Sequence, residues 1–205
     1  MTSIDTPVPD DCEAIAQLYA QAFEADPVWS AIVPDPEWRR RVIATDFRSQ
    51  LRNDTDHFDI VRGEDGEVLG ALNFELPRKD GQKAPSLRDT LMSILERVTP
   101  AGRRGARHQE AVDAYRPSED HWYFHDLVTS PAARGRGLGR ALLDHRLAIV
   151  DADPLPVFLE STTPASRRLY ERYGFEVVAT VSELEGTESF AMIRPAQEPI
   201  VAPAP

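Results

Sequence analysis

The chain has 205 residues, 41% of them hydrophobic and 28% charged, which is ordinary for a globular protein able to bury a substantial core. Its formal net charge is −11, from 34 acidic and 23 basic residues. The phosphates of nucleic acids would repel so acidic a protein, so a nucleic-acid-binding function is disfavoured. The acidic charge either serves solubility alone or also attracts cationic substrates.

Membrane and secretory signals are missing from the sequence. No apolar run approaches the roughly 20 residues that cross a bilayer, and residues 1–10 lack the basic and apolar regions of a signal peptide. Cys12 is the one cysteine, so no intrachain disulfide can form and a reducing compartment is favoured. We therefore expect a cytoplasmic protein without a membrane partner.

Two helices are expected near the start of the chain. Apolar residues recur with helical spacing from Ile15 to Phe23, which predicts an amphipathic helix that Pro27 would end. The stretch 26–36 is typical of a loop with a short helical turn. A second helix is expected over residues 37–51.

A β-hairpin and an insert follow. Extended runs at 57–62 and 68–75 flank Asp65-Gly66, which is a hairpin signal. Residues 77–118 contain an apolar helical pattern over 87–98 and predict an insert of one or two helices, interrupted near residues 100–102. The insert is either a packing appendage or a wall over a substrate site.

Strands and helices alternate in the rest of the chain, which implies an α/β (α+β) fold with a mixed sheet. One domain is expected over residues 1–195, and the Pro- and Ala-rich tail 196–205 is expected to be disordered. The expected elements are a strand at 122–129, a helix at 137–151, a strand at 157–160, a helix at 165–173 and strands at 176–184 and 188–194.

A glycine-rich turn between the 122–129 strand and the next helix is the strongest chemical signal. Its sequence is Arg134-Gly135-Arg136-Gly137-Leu138-Gly139-Arg140. Glycines let the backbone approach a ligand closely, and a helix N-terminus attracts anions. Three arginines in so acidic a chain add positive charge, so the turn predicts a site for a phosphate-bearing ligand.

Other nucleotide loops and other chemistries fit poorly. The Rossmann spacing would require glycine where Arg140 stands, and the Gly-Lys of a Walker loop is absent. No G-x-S-x-G elbow supports a serine hydrolase. No metal is expected, because the histidines show no ligand spacing, and His121 and His125 would lie more than about 10 Å apart along a strand.

The glycine-rich turn fits the acetyl-CoA loop of the GNAT superfamily, Q/R-x-x-G-x-G/A. Three longer segments also resemble that family: AIAQLYAQAFEADPVW (14–29), HWYFHDLVTSPAARGRGLGRALL (121–143) and FLESTTPASRRLYERYGFEVV (158–178). The phrases AFEADP, FLESTTP and LYERYGFEV resemble the puromycin N-acetyltransferase branch, whose members acetylate various amines; the resemblance makes an antibiotic or an aminoacyl compound a candidate acceptor. The resemblance implies a central twisted sheet of about seven strands, splayed between strands 4 and 5 and flanked by helices, with the helical insert before strand 4.

The resemblance also implies where acetyl-CoA binds. The pantetheine arm would lie between the splayed strands and contact the backbone of Leu127, Val128 and Thr129. The N–H near Leu127 would stabilise the oxyanion of the tetrahedral intermediate, a contribution of about 3 kcal/mol. The pyrophosphate would sit on the amides of residues 134–139, beside the side chain of Arg140.

Tyr170 is the expected general acid. It matches the tyrosine of the family's LYExxGF phrase, where a phenol protonates the departing CoA thiolate. A phenol with a pKa of ~10 and a thiol with a pKa of ~8.5 can share a proton at low cost. The alternative is that Tyr170 only packs in its helix.

The general base is less constrained. Strand alternation predicts that Tyr123, His125, Leu127 and Thr129 share one face. His125 lies two residues before the expected oxyanion donor, and an imidazole suits proton abstraction near neutrality. His125 is therefore either the base or a substrate contact, and deprotonation through water relayed by Glu160 or Asp126 stays open.

Two further sets of residues are expected around the reaction. Ser166 stands where many relatives carry an asparagine that contacts pantetheine, or else it caps its helix. Phe23, Asp26 and Trp29, together with Tyr123 and His125, are expected to form the acceptor pocket, because aromatic rings beside a carboxylate suit a cationic amine.

The expected function is N-acetylation of a primary amine on a small molecule, by direct attack on acetyl-CoA through a tetrahedral intermediate. A protein or peptide acceptor and a non-catalytic acyl-CoA-binding module are the alternatives. The enzyme is expected to act as a monomer or homodimer.

Overall fold

The computed structural model describes residues 3–53, 55–77 and 99–197, and in these ranges seven strands form one mixed sheet. The strands are β1 (Ile4–Asp5), β2 (Phe58–Arg62), β3 (Val68–Glu75), β4 (Trp122–Thr129), β5 (Val157–Ser161), β6 (Glu176–Val181) and β7 (Ser189–Arg194). Their spatial order is β1-β2-β3-β4-β5-β7-β6. Neighbouring strands are antiparallel except β4 and β5, which are parallel.

Helices cover both faces of the sheet. They are α1 (Cys12–Ala22), α2 (Pro27–Ile32), α3 (Pro36–Asn53), α4 (Pro100–Asp113), α5 (Leu138–Val150) and α6 (Pro164–Glu171). Short 3-10 turns at Pro9–Asp11 and Pro131–Ala133 precede α1 and the glycine-rich turn. None of the described helices is long and apolar enough to cross a bilayer. The expected α/β architecture, with a mixed sheet flanked by helices, is confirmed.

The core is divided by the sheet. On one face, Leu138 and Leu142 of α5 pack with Leu72, Phe124 and Leu159 of the strands. On the other face, residues of α1 and α3 such as Tyr19 and Phe47 pack with their strand neighbours, for example Ile60 and Ala71. Ala71 and Leu72 are consecutive in β3, so the two clusters follow from alternation along the strand.

Proline and capping side chains set the starts of three helices. Pro27, Pro100 and Pro164 each occupy the first turn, where the missing N–H costs nothing. The expected interruption at 100–102 is therefore the beginning of α4, capped by the Thr99 hydroxyl, which accepts a hydrogen bond from the amide of Gly102 at 3.1 Å. The helical pattern expected over 87–98 and the tail from 198 onwards lie outside the described residues.

Strand β4 contains a register shift that strand alternation did not predict. Asn73 pairs with Asp126 but Phe74 pairs with Phe124, so β4 carries one additional residue, His125. Tyr123 consequently packs with Val112 and Phe158 on the α4 side of the sheet. Leu127 packs on the α5 side instead. The expectation that Tyr123, His125, Leu127 and Thr129 share one face is wrong, because a bulge reverses the alternation within the strand.

Candidate active site

The parallel strands β4 and β5 separate in the middle of the sheet. They pair only from Trp122 with Val157 to Phe124 with Leu159. Beyond that last pair, no described strand pairs with the β5-facing edge of β4 from His125 to Thr129. The backbone groups along this edge can therefore bind an extended ligand, as an added strand would.

A cavity opens at this separation and is called the central cavity below. Its lining comes from both sheet faces: from the splayed strands, from the residue that follows α1, and from α2, α4 and α6. The lining residues are Phe23, Val28, Trp29, Ile32, Gly105, His108, Gln109, Tyr123, His125, Asp126, Leu127, Glu160, Thr162, Ser166 and Tyr170. It brings together nine of the residues expected at the site from the sequence, namely Phe23, Trp29, Tyr123, His125, Asp126, Leu127, Glu160, Ser166 and Tyr170.

The glycine-rich turn lies between β4 and α5. Gly135 and Gly137 have φ values of +81° and +77°, in the left-handed region that disfavours residues with a Cβ. Gly137 is the N-cap of α5 and offers no side chain to bond the first helical amides. An anion can take that role at the positive end of the helix.

Not every amide of the turn is available. The N–H groups of Arg134 and Arg136 donate to the carbonyls of Pro131 and Ala133, at 3.3 Å in each case. The amide donors that remain for a phosphate group are those of Gly135 and residues 137–140. The side chains of Arg134, Arg136 and Arg140 are exposed around them and carry the positive charge.

Tyr170 reaches the central cavity from the α5 side of the sheet. It is 7% exposed and belongs to the cluster that contains Phe124 and Phe175. Burial raises the pKa of the Tyr170 phenol, and the negative charge of Asp126 raises it further. The side chain therefore stays protonated well above neutral pH and is a hydrogen-bond donor.

His125 is held by a charged network beneath the cavity. Its Nε2 lies 3.5 Å from Glu75 Oε2, and Arg116 Nη2 lies 3.1 Å from Glu75 Oε1. Burial raises the pKa of Glu75, but the hydrogen bond from His125 and the charge of Arg116 outweigh burial and lower it to about 2. The ring of Tyr123 lies against the imidazole of His125, tilted by 30° and with centroids 4.0 Å apart.

A second histidine at the cavity, His108 on α4, was not expected from the sequence. Its Nε2 lies 2.6 Å from Glu160 Oε1; the His108 side chain is buried and the Glu160 side chain is partly buried. Histidine 108 comes from the insert, and its partner lies 52 positions further along the chain, so no local motif could reveal the pair. Gly105, a helical turn earlier, also lines the cavity.

Ser166 lines the cavity but its hydroxyl is already bonded. The Oγ lies 2.8 Å from both Ser161 Oγ and Thr163 Oγ1, and the Thr163 hydroxyl accepts from the Ser166 amide at 3.1 Å. This is a capping box at the start of α6. Helix capping thus occupies the group that was expected to contact pantetheine.

Asp26 lies behind the acceptor side of the cavity and is not among the lining residues. Its Oδ1 accepts from the Trp29 amide at 2.9 Å, and its Oδ2 accepts from the Thr162 hydroxyl at 2.6 Å. Burial raises the pKa of this carboxyl group, against the lowering by both hydrogen bonds. Asp26 joins α2 to the end of β5, which differs from the expected direct contact with an amine.

Arginine side chains hold the wall of the cavity that α2 and α4 form. Arg104 Nε, on α4, donates to the carbonyls of Ala31 and Ile32 at 3.1 Å. Arg39, on α3, donates to the carbonyls of Val33 and Glu24 at 2.6 Å.

Among the residues of the three described ranges, no group of three His, Cys, Asp or Glu side chains forms a metal site.

Comparison with known proteins identifies a family. Residues 13–175 match the family model of the Acetyltransferase (GNAT) family. The chain is 43% identical to the mycothiol acetyltransferase of Beutenbergia cavernae over 56 residues. This matched stretch is 26% of this chain and 19% of that protein. Over 65 residues it is 34% identical to an uncharacterized N-acetyltransferase of Schizosaccharomyces pombe, 31% of this chain and 26% of that protein. The chain therefore spans about a fifth to a quarter of these relatives.

Solved structures share the fold over nearly the whole chain. One, histone acetyltransferase HPA2 and related acetyltransferase from Corynebacterium glutamicum, has a TM-score of 0.72 and 24% identity, covering 98% of this chain and 99% of that one. Another is the PaiA N-acetyltransferase of Thermoplasma acidophilum in complex with coenzyme A. It has a TM-score of 0.57 and 12% identity, covering 95% and 99%.

Proposed function

Because this chain belongs to the GNAT acetyltransferase family, we propose that it transfers an acetyl group from acetyl-CoA to a primary amine of a small molecule. The amine attacks the thioester directly, and the reaction passes through a tetrahedral intermediate. The splay between β4 and β5, with a cavity lined by residues from both faces of the sheet, is the observation that carries this proposal.

Acetyl-CoA is proposed to bind along the free edge of β4. The backbone of Leu127, Val128 and Thr129 would hydrogen-bond the pantetheine arm as a neighbouring strand does. The pyrophosphate would bind the amides of Gly135 and residues 137–140, with Arg134, Arg136 and Arg140 supplying charge. The N–H near Leu127 would then stabilise the oxyanion.

Tyr170 is proposed to assist departure of the CoA thiolate. Its raised pKa keeps the phenol protonated through neutral pH, which a donor to a thiolate requires. The same rise makes complete proton transfer from the phenol costly. Tyr170 therefore acts chiefly as a buried hydrogen-bond donor to the sulfur, which refines the role of full acid expected from the sequence.

The acceptor is proposed to enter from the α2 and α4 side. Phe23, Trp29 and Tyr123 supply aromatic surface there, while Glu160 and Asp126 supply negative charge. Aromatic rings and carboxylates together favour a cationic amine with an apolar body. His125 is proposed as a further contact to this acceptor, and Ser166 keeps α6 in place beside the pantetheine.

A small-molecule acceptor is favoured over a protein because α2 and α4 are joined across the acceptor side. Arg104 links the two helices through the carbonyls of Ala31 and Ile32. An extended peptide would need an open groove at this point. The likeness of AFEADP, FLESTTP and LYERYGFEV to the puromycin-acetylating branch supports an antibiotic or aminoacyl compound as one acceptor to try.

The test is thiol release from acetyl-CoA across a panel of primary amines that includes puromycin. Peptides with a free N-terminal amine are assayed separately as acceptors. We expect release with small amines, and a matching N-acetylated product by mass spectrometry. Release with peptides alone would replace the proposal by peptide acetylation. Tight CoA binding without release to any acceptor would replace it by a non-catalytic acyl-CoA-binding module.

A further inference from the structure

We infer that His108, held by Glu160, is the base that takes the proton from the acceptor's ammonium group. The inference rests on the proposed amine acetylation and adds the residue that makes the amine nucleophilic. An ammonium ion has no lone pair to attack with, so one proton must leave before the bond to the thioester carbon forms.

The hydrogen bonding of His108 determines which nitrogen is free. A carboxylate can only accept hydrogen bonds, so the 2.6 Å contact with Glu160 puts a proton on His108 Nε2. In the neutral imidazole, Nδ1 then carries a lone pair. That atom is buried and has no hydrogen-bond partner among the described residues. A buried acceptor without a donor is costly, and a bound ammonium would supply the missing donor.

The position of the pair suits this role. Leu159 is the last residue of β5 that pairs with β4, and Glu160 follows it directly. Phe158 packs on the α4 side of the sheet and Leu159 on the α5 side, so alternation brings Glu160 to the α4 side. Tyr170 approaches from the α5 side. The base and the donor to sulfur thus lie on opposite sides of the splay that would hold the thioester.

The proton and electron movements balance. One ammonium proton passes to His108 Nδ1, and Glu160 stabilises the imidazolium that forms. The amine lone pair attacks the thioester carbon, and the carbonyl electrons move to oxygen. When the oxyanion collapses, the C–S bond breaks and its electron pair goes to sulfur. The second nitrogen proton is taken up by the thiolate, and His108 returns its proton to solvent.

His125 is the competing base, and its surroundings are less suitable. It also lines the cavity with a buried Nδ1 that has no hydrogen-bond partner among the described residues. Its contact with Glu75 is longer, at 3.5 Å, and Arg116 shares that carboxylate. An imidazolium at 125 would therefore gain less from Glu75 than one at 108 gains from Glu160.

Other charged groups near His108 enter any interpretation of a pH profile. Arg104 and Arg107 lie on the same helix, and Arg107 pairs with Glu183 at 2.7 Å. The other titratable groups that line the cavity are Glu160, Asp126, His125, Tyr123 and Tyr170. Asp26 adjoins the cavity through its hydrogen bond with the lining residue Thr162.

The experiment compares His108→Gln with the wild-type enzyme on two amines. Glutamine can still donate to Glu160 but has no basic nitrogen. The first amine is phenethylamine, which is protonated at pH 7, and the second is trifluoroethylamine, whose fluorines leave it largely unprotonated there. His125→Gln is the competitor, and His145→Gln, at a half-exposed position on α5, is the matched control. Thermal unfolding and CoA affinity establish that each variant is folded.

We expect His108→Gln to lower kcat/KM for phenethylamine about 100-fold at pH 7 and for trifluoroethylamine less than about 10-fold. The phenethylamine deficit should shrink as pH rises, because solvent then delivers the free amine. Glu160→Gln should reproduce this dependence on amine basicity with a smaller loss, and it serves as the second variant if His108→Gln does not fold.

Three results would overturn the inference. One is an equal, pH-independent loss on both amines, which indicates a structural role for His108. Another is the same dependence on basicity appearing in His125→Gln and not in His108→Gln. The third is a wild-type enzyme that releases no CoA with any amine, which removes the proposed function along with its base. The first two leave the proposed function standing.

Discussion

His125 and Glu160 occupy equivalent places on two diverging strands, because each directly follows a member of the last residue pair that joins β4 to β5, Phe124 and Leu159. Both side chains line the central cavity. The point where the sheet opens is therefore flanked by an imidazole and a carboxylate. The imidazole of His125 is paired with Glu75, and the carboxylate of Glu160 is paired with His108. The chemistry proposed here follows from that junction.

Tyr170→Phe should lower kcat about 100-fold and leave the Kd for acetyl-CoA unchanged, because only the hydrogen bond to the leaving sulfur is lost. Tyr173→Phe is the control. Tyr173 lies on the turn after the same helix and bonds Asp144, and its variant should keep wild-type turnover. Steady-state rates and CoA titrations check both, and a Tyr170→Phe enzyme with normal kcat would exclude the role.

The pH profile should show no ionisation of Tyr170 in the working range. Burial and the charge of Asp126 raise its pKa, so the phenol stays neutral as pH rises past the usual value of ~10. We expect kcat to hold through pH ~10 and beyond it, wherever the protein is folded. A fall in kcat centred near pH ~10 that disappears in Tyr170→Phe would mean that the phenol titrates normally.

Gly137→Ala should weaken CoA binding and destabilise the fold. The φ of +77° costs a residue with a Cβ about 1–2 kcal/mol, so the turn that presents the amides is strained. Gly66→Ala is a matched control, since Gly66 has a φ of +80° and, like Gly137, open space where a Cβ would lie. It should lose similar stability, measured by urea unfolding, with no change in CoA affinity by calorimetry. Equal CoA affinities in both variants would argue against the phosphate site.

Glu75→Gln should lower the free energy of unfolding by about 3 kcal/mol at pH 7. The folded-state pKa of Glu75 is about 2, below its ordinary value of 4.5. A carboxyl group whose pKa is lowered by folding stabilises the folded state at every pH above its unfolded-state pKa. For Glu75 this contribution is lost as pH falls from 4.5 towards 2. The deficit of the variant should therefore vanish over that window in urea titrations.

Asp26→Asn should respond to pH in the opposite direction. Its carboxyl pKa is raised in the fold, so ionisation of Asp26 costs stability as pH rises through its ordinary range. The variant, compared with wild type, should be relatively more stable at pH 7 than at pH 3. The same slope for Asp26→Asn and Glu75→Gln would contradict the network described around either residue.

Arg104→Met should raise the KM for the acceptor amine several-fold and leave acetyl-CoA binding unchanged. The variant keeps the aliphatic stem but loses the hydrogen bonds that join α4 to α2 at the acceptor wall. Arg107→Met is the control, because Arg107 is an exposed arginine on the same helix. This variant should have the wild-type KM for the acceptor amine. An unchanged KM in Arg104→Met would mean that this wall does not shape the acceptor site.

Local sequence patterns predicted strands β2 to β7, most helices and the glycine-rich turn, because periodicity and glycine conformation are properties of short segments, but they did not predict the two-residue strand β1. They did not reveal the bulge at His125, which arises from pairing β4 with β3 and changes which residues face the cavity. The sequence predicts Asp26 as a substrate ligand, but in the structure its carboxylate caps α2 and accepts a hydrogen bond from the Thr162 hydroxyl, 136 positions away. The partnership of His108 with Glu160 likewise depends on tertiary contact between the insert and β5.

Direct attack of the amine on acetyl-CoA is the central claim, and a single-turnover reaction with excess enzyme tests it most directly. Intact-protein mass spectrometry and product analysis would follow the acetyl group from acetyl-CoA to the amine. We predict equimolar CoA and N-acetylated amine at every time point, with no acetyl group on the protein, including Cys12. An acetylated enzyme that forms and then passes its acetyl group to the amine, or CoA released without acetylated amine, would contradict the account.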